Sequence, residues 1–335
     1  MAKKILLTGG AGYIGSHTYV ALKGAGFEPV IFDNFSNAKE DVAERLEQIC
    51  GEPVQCVHGD VLSPEDLRGV FEAHDFEGVV HFSALKAVGE STEKPRAYFH
   101  TNLGGLLNLL SAMRESGCKV LVFSSSATVY GDAQVQPISE TAPCSFTNPY
   151  GYTKFASEQM LEQIRTNEPD WVFGVLRYFN PVGAHTSALI GEDPQGLPNN
   201  LMPYIAKVAT GELPHLTVFG DDYPTKDGSG VRDYIHVMDV ARGHVLSLNK
   251  LFETGESHLV NLGTGQGYSV FDILNAYSDA CGKDLAHVVG PRREGDVAQL
   301  LAGTELAQKA LGFKARYDLK DMCESSWAWM ESQKT

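Results

Sequence analysis

Thr8-Gly9-Gly10-Ala11-Gly12-Tyr13-Ile14-Gly15-Ser16-His17 is the stretch that decides how this chain folds. Before it comes an apolar run, Lys4-Ile5-Leu6-Leu7, that reads as a buried parallel strand. After it comes a helical pattern with Ile14, Val20, Ala21 and Leu22 on one side. Glycines at 9, 12 and 15 allow a tight turn, close approach of backbone N–H groups to a pyrophosphate, and close packing of helix on strand. The helix N-terminus then faces the anion with its positive dipole end. Asp33 stands 18 residues beyond Gly15, at the end of a second apolar run, Pro29-Val30-Ile31-Phe32. A carboxylate there hydrogen-bonds the adenosine ribose of NAD and repels the extra phosphate of NADP. The expected fold is α/β, a doubly wound parallel sheet of Rossmann type.

At 335 residues the chain has room for a full doubly wound domain and roughly a hundred residues or more beyond it. Hydrophobic residues make up 43% and charged residues 21%, which leaves no reason to expect a disordered class. A formal charge of −15 argues against a nucleic-acid or anionic-membrane surface, although a few placed arginines suffice for a nucleotide. No apolar run reaches membrane-spanning length, and Met1-Ala2-Lys3-Lys4 is followed by only three apolar residues before Thr8, so a cytosolic chain is expected. Cys50, Cys56, Cys118, Cys144, Cys281 and Cys323 lack the spacing of a zinc or redox site and read as reduced thiols. No metal is expected.

The remaining strands and helices follow in alternation. Val54 to Asp60 reads as a third strand ending in an acid, and Ser63-Pro64-Glu65-Asp66 as a capped helix start. Gly78 to Ser83 is a fourth strand with Ala84-Leu85-Lys86 at its carboxyl end, where such sheets hold ligands. A long helix from about Pro95 to Glu115 carries Phe99, Leu103, Leu106, Leu107, Leu110 and Met113 as an apolar stripe, either core or partner surface. Asn102 on it is a polar side chain that can reach a cofactor. Lys119 to Phe123 is a fifth strand that runs into Ser124-Ser125-Ser126.

Chemistry is expected between those serines and the next helix. Asn148-Pro149 is an N-cap with a first-turn proline, which puts Tyr150 in the opening turn and Lys154 one turn later on the same face. Using a tyrosine phenolate near neutral pH means lowering its pKa by about three units, roughly 4 kcal/mol, and an adjacent ammonium has the right sign. Trp171 to Leu176 is another strand, followed by Arg177-Tyr178-Phe179-Asn180-Pro181. From about Val182 the composition turns Pro- and Gly-rich. The expected division is a nucleotide-binding domain over 1–181, with a partial return at about 231–265, and a smaller α/β substrate lobe over 182–335. Gly263-Thr264-Gly265-Gln266-Gly267 is either turn material or a second phosphate site. Arg292 to Asp296 is either a solvated loop or one that pairs an arginine with phosphate.

The Gly-x-x-Gly-x-x-Gly spacing is similar to that of the extended short-chain dehydrogenase/reductases. Within them, residues 9–17, 81–91, 124–131, 150–154, 176–183, 191–204, 221–239 and 291–296 resemble the UDP-glucose 4-epimerase family over nearly the whole chain. The resemblance implies that Tyr13, Ile14, Asp33, Asn34, Asp60, Val61, Phe82, Lys86, Asn102 and Phe179 line an NAD site together with the loop glycines. It makes Ser126, Tyr150 and Lys154 the catalytic set. Tyr150 would take the proton of a sugar 4-hydroxyl as hydride passes to the nicotinamide, Ser126 would bond that oxygen, and Lys154 would hold the cofactor ribose and depress the tyrosine. The 4-keto sugar would then turn over and be reduced on its other face.

By the same resemblance Lys86, Asn180, Asn200, Leu201, Thr217, Phe219, Arg232, Arg293 and Asp296 hold a UDP-hexose, and a homodimer forms through the 95–115 and 149–166 helices. Leu300 stands where some family members carry a large aromatic, so an alternative is activity on N-acetylated sugar nucleotides such as UDP-N-acetylglucosamine. Ala127-Thr128 follows the catalytic serine where related dehydratases have Asp-Glu, which disfavours elimination. A Tyr and Lys pair disfavours a non-catalytic NAD-binding protein.

Overall fold

The computed structural model describes residues 2–194, 198, 200–293 and 296–334. The first half alternates strand and helix: β1 (Lys4–Thr8), α1 (Tyr13–Gly24), β2 (Glu28–Asp33), α2 (Val42–Cys50), β3 (Cys56–His58), α3 (Pro64–Ala73) and β4 (Gly78–His81). Next come α4 (Val88–Glu93), α5 (Pro95–Tyr98), α6 (Gly105–Ser116), β5 (Val120–Ser126), α7 (Pro149–Asn167) and β6 (Val172–Tyr178). The second half holds β7 (Asn180–Val182), α8 (Leu201–Thr210), β8 (Leu216–Phe219), β9 (Val231–His236), α9 (Val237–Thr254) and β10 (His258–Leu262). It closes with β11 (Gly267–Ser269), α10 (Val270–Cys281), β12 (His287–Gly290), β13 (Gln299–Leu300), α11 (Glu305–Leu311) and α12 (Leu319–Ser332).

Seven strands form one sheet in the order β10-β6-β5-β4-β1-β2-β3, every pair parallel. Alternation along β1 explains its uninterrupted apolar run. Ile5 and Leu7 enter one core with Leu22 of α1 and Leu248 of α9, while Leu6 enters the other with Leu67 of α3 and Leu109 of α6. The strand order reverses between β1 and β4, so their carboxyl ends open the crevice where doubly wound sheets hold ligands.

A separate core of Ile205, Ile273, Leu274, Tyr277 and Trp327 is built by α8, α10 and α12. Beside it lie β11-β9-β13, with β7 also on β9, and the parallel pair β12-β8.

Two expectations change in detail. The third strand spans only Cys56–His58, because Gly59 and Asp60 turn away: the Asp60 carboxylate accepts the Leu62 N–H at 2.8 Å. The long helix is not uniformly α either. Phe99–Gly104 winds as a π-helix between α5 and α6, and Asn102 within it is buried. The second glycine cluster is a turn closed on the protein itself. Thr264 N, Gly265 N and Ala302 N all donate to the buried Asp233 carboxylate at 2.8–3.1 Å, so an internal anion occupies those amides.

Candidate active site

Around the glycine loop the geometry differs from one glycine to the next. Gly9 has φ +70°, and a Cβ there would lie 2.7 Å from Ser83 N; one at Gly15 would lie 2.5 Å from Gly9 O. Both glycines are demanded by the protein's own packing. Gly12 is different. Its φ of −69° suits any residue, and a Cβ would meet nothing nearer than Gly9 O at 3.3 Å. It borders a groove shared with Ala11 and Tyr13, with Asn37, Lys39 and Arg45 beyond β2, and with Lys86 and Glu192 opposite. Asn37, Lys39, Arg45 and Glu192 are groove residues outside the set expected from the sequence; Asn37 and Lys39 lie in the polar stretch between β2 and α2.

Asp33 braces the glycine loop beside this groove. Its carboxylate accepts Ala11 N at 3.0 Å and Phe35 N at 2.9 Å, one on each oxygen. Burial pushes its pKa up, and the backbone N–H groups oppose that rise. Asn34 donates to Asp60 at 3.0 Å, and the buried Val61 follows, so the ends of β2 and β3 meet. A dinucleotide therefore fits: an open N-terminal turn of α1, a groove with no side chain at Gly12, and a positioned acid.

Other expected cofactor residues have duties within the chain. Ile14 lies in the first turn of α1, and the Tyr13 hydroxyl donates to Gly183 O at 2.6 Å, tying the loop to the chain after β7. Asn102 accepts the Leu85 N–H at 2.8 Å and donates to Leu85 O and Thr153 Oγ1 at 3.0 Å, joining the end of β4 to α7. Phe82 packs on His244 with ring centroids 4.9 Å apart. Phe179 is buried in an apolar cluster with Val129, Tyr130 and Ala302.

The catalytic candidates converge where β5 ends and α7 begins. The Asn148 side chain accepts Gly151 N at 2.9 Å, with Pro149 in the first turn, so the cap forms as its sequence requires. Lys154 Nζ donates to Ser124 O at 2.7 Å and lies 5.9 Å from the Tyr150 ring centroid. Ser126 caps a short 3-10 turn and accepts Thr128 N and Thr128 Oγ1 at 3.2 and 3.0 Å. Burial raises the Tyr150 phenol above its ordinary pKa while Ser126 pulls it back, and burial lowers Lys154 to about 8 while Glu158 opposes. The chain by itself therefore holds the phenol up; the expected depression needs positive charge beyond what Lys154 supplies.

The substrate candidates form two groups. Asn200, before α8, donates to Glu192 at 2.9 Å, and Lys86 lies 3.6 Å from the same carboxylate, so residues 114 apart meet there. Asn180 starts β7 and Leu201 starts α8. In the other group, Arg293 lies over the exposed Phe219 ring at 5.0 Å and bonds Asp296 at 3.2 Å. Arg232 lies 3.9 Å from Asp296 and donates to Val231 O and Val297 O. Leu300 pairs with Arg232, and Thr217 is on β8 with Phe219. Two arginines and an exposed aromatic at one place suit an anion next to a flat ring. The stretches 191–204 and 291–296 include residues 195–197, 199, 294 and 295, which lie outside the described residues.

Fold and site together define a dinucleotide-binding α/β protein of extended short-chain dehydrogenase/reductase type. The chain belongs to the NAD dependent epimerase/dehydratase family, whose model matches residues 5–263. It is 49% identical over 328 residues to a UDP-glucose 4-epimerase of Bacillus subtilis, covering 98% of this chain and 97% of that one. Among solved structures it is similar to UDP-glucose-4-epimerase from Stenotrophomonas maltophila with bound NAD and formylated UDP-arabinopyranose (TM-score 0.97, 48% identity, 99% of each chain). It is also similar to the Bifidobacterium longum UDP-glucose 4-epimerase in complex with NAD+ and UDP (TM-score 0.94, 45% identity, 99% of each chain). Among the described residues there is no group of side chains able to hold a metal ion, and no helix long and apolar enough to cross a membrane.

The glycines separate fold from binding. With NAD removed from both proteins, Gly12→Val should keep a thermal midpoint close to the parent's and fail to retain added NAD through gel filtration, whereas Gly15→Val should lower the midpoint itself. Retention of NAD by folded Gly12→Val would place the dinucleotide elsewhere.

Proposed function

We propose that this protein is a UDP-glucose 4-epimerase, an isomerase that interconverts UDP-galactose and UDP-glucose with NAD bound. The observation that carries the proposal is the meeting of Tyr150, Lys154 and Ser126 at the carboxyl edge of the sheet, beside a groove shaped for a dinucleotide. NAD supplies a reversible hydride acceptor. In this reading the glycine loop and Asp33 hold its pyrophosphate and adenosine ribose, with Asn34, Asp60, Val61, Phe82, Lys86, Asn102 and Phe179 completing the site.

Tyr150 removes and returns the proton of the sugar 4-hydroxyl, Ser126 holds that oxygen, and the Lys154 ammonium favours the phenolate and fixes the ribose. Arg232 and Arg293 neutralise the diphosphate, with Phe219 against the base. Asn180, Asn200, Leu201, Thr217, Asp296 and Leu300 complete the sugar nucleotide's contacts. The sheet with its helices forms the NAD-binding domain over 1–181, joined by the 231–265 return, and 182–335 forms the substrate lobe. The similar proteins favour UDP-glucose over N-acetylated sugars, and six free cysteines suit a reducing cytosol.

A second copy of the chain is the expected partner. Phe99, Leu107 and Tyr152 are 37%, 51% and 40% exposed on the α5–α6 and α7 surface, and the Tyr152 ring contacts both Phe99 and Phe146. Leu107→Glu should convert a dimer to a monomer in sedimentation velocity; a monomeric parent protein would remove the assignment.

Purified protein incubated with UDP-galactose and no added nucleotide should yield UDP-glucose by its anomeric NMR signals. Tyr150→Phe should lower kcat by about 10²-fold or more. Full activity in that variant would defeat the mechanism. The ammonium of Lys154 is present below its pKa of about 8 and lost above it, so kcat should fall as pH rises through that region. A profile flat from pH 7 to 10 would exclude Lys154 as the charged partner.

A further inference from the structure

Glu158 is buried one helical turn beyond Lys154, on the face of α7 that carries Tyr150 and Lys154. Its carboxylate accepts Arg177 Nε at 2.9 Å, Arg177 Nη2 at 2.6 Å and Ser125 Oγ at 2.5 Å. Arg177 and Ser125 are direct partners across β6 and β5, so two neighbouring strands grip one helical side chain. The guanidinium is further held by Tyr130 OH at 2.9 Å and Glu140 O at 3.2 Å. Ser125 sits between Ser124, whose carbonyl takes the Lys154 hydrogen bond, and Ser126.

A buried ion pair adds little to stability, because desolvation offsets its attraction and an apolar pair can replace it. Its place in this chain has a different consequence. We propose that Glu158 is a positioning residue: clamped by Arg177 and Ser125, it locks the Lys154 turn of α7 against the Ser124–Ser126 strand end, where the Ser124 carbonyl holds the Lys154 amine. This rests on the epimerase reading of Tyr150, Lys154 and Ser126.

Among the groups around Lys154, Glu158 is the anion, and its own ion pair is with Arg177. Tyr150 and Glu158 face it from α7, the Ser124 carbonyl and the Phe123 ring from β5, and His81 from β4. Tyr178 reaches Ser124 from β6, and Arg177 acts through Glu158. Burial keeps His81 neutral at neutral pH, with its pKa near 3, so it offers no competing charge there. Glu158 raises the Lys154 pKa against the pull of burial.

The test is the pH profile of UDP-galactose conversion by the NAD-loaded enzyme and its Glu158→Gln variant. The alkaline limb of kcat should move about one unit toward acid, with KM little changed. Glu158→Leu/Arg177→Met, which replaces the pair by apolar volume, should still fold and show the displaced limb. A parent-like limb in either folded variant overturns the proposal. Titration of Lys154 by NMR, using lysine labelled with ¹³C at Cε and assigned with Lys154→Met, reports the same displacement without catalysis. A parent that does not epimerise therefore defeats the functional reading alone, and an unmoved Lys154 titration in Glu158→Gln defeats the Glu158 proposal alone.

Discussion

There is no space at Gly15 for a single methyl group, and the site depends on that. Its Cα faces the carbonyl of Gly9 and the backbone of Gly10 so closely that α1 seats directly on the turn leaving β1. That contact aims the open amides of the helix at the crevice between β1 and β4. Asp33 secures the arrangement from β2 by accepting the Ala11 N–H, so the acid at the end of the second strand also braces the loop. Moving the helix outward by one side chain would change the groove, the acid and the approach to β4 together.

The electrostatics follow from burial more than from net charge. An acidic chain of formal charge −15 places Arg232 and Arg293 at one spot through local pairing with Asp296. Two of its buried carboxylates are answered within the chain: Asp233 fills the amides of the 264–265 turn, and Glu158 meets Arg177. The phenol of Tyr150 lies under the same rule. Burial disfavours its charged form, so the chemistry calls for cations placed beside it, Lys154 among them.

Much of this was legible along the chain. The unbroken apolar run of β1 meant a strand covered on both faces, and the core shows it covered on both. Asn148-Pro149 marked the start of α7 and hence the shared face of Tyr150 and Lys154. Less was legible where one residue of winding matters. The π-turn at Phe99–Gly104 leaves no period in the sequence, yet it seats Asn102 between Leu85 and Thr153. The third strand is shorter than its apolar content suggests, because an edge position and the turn at Asp60 do not show in that content.

By itself the sequence determined what local backbone physics decides: glycine spacing, caps, periodicity, and therefore the order of strands and helices and the turn carrying the Tyr and Lys. Only the tertiary structure decided which distant residues share a charge or a hydrogen bond. Asn200 and Lys86 meet at Glu192, Asp233 quenches the second glycine turn, and Ser125 and Arg177 close on Glu158. These contacts join residues between 8 and 106 positions apart, with the sheet register bringing Ser125 and Arg177 side by side. No short-range pattern encodes such pairings, because they depend on how whole elements pack.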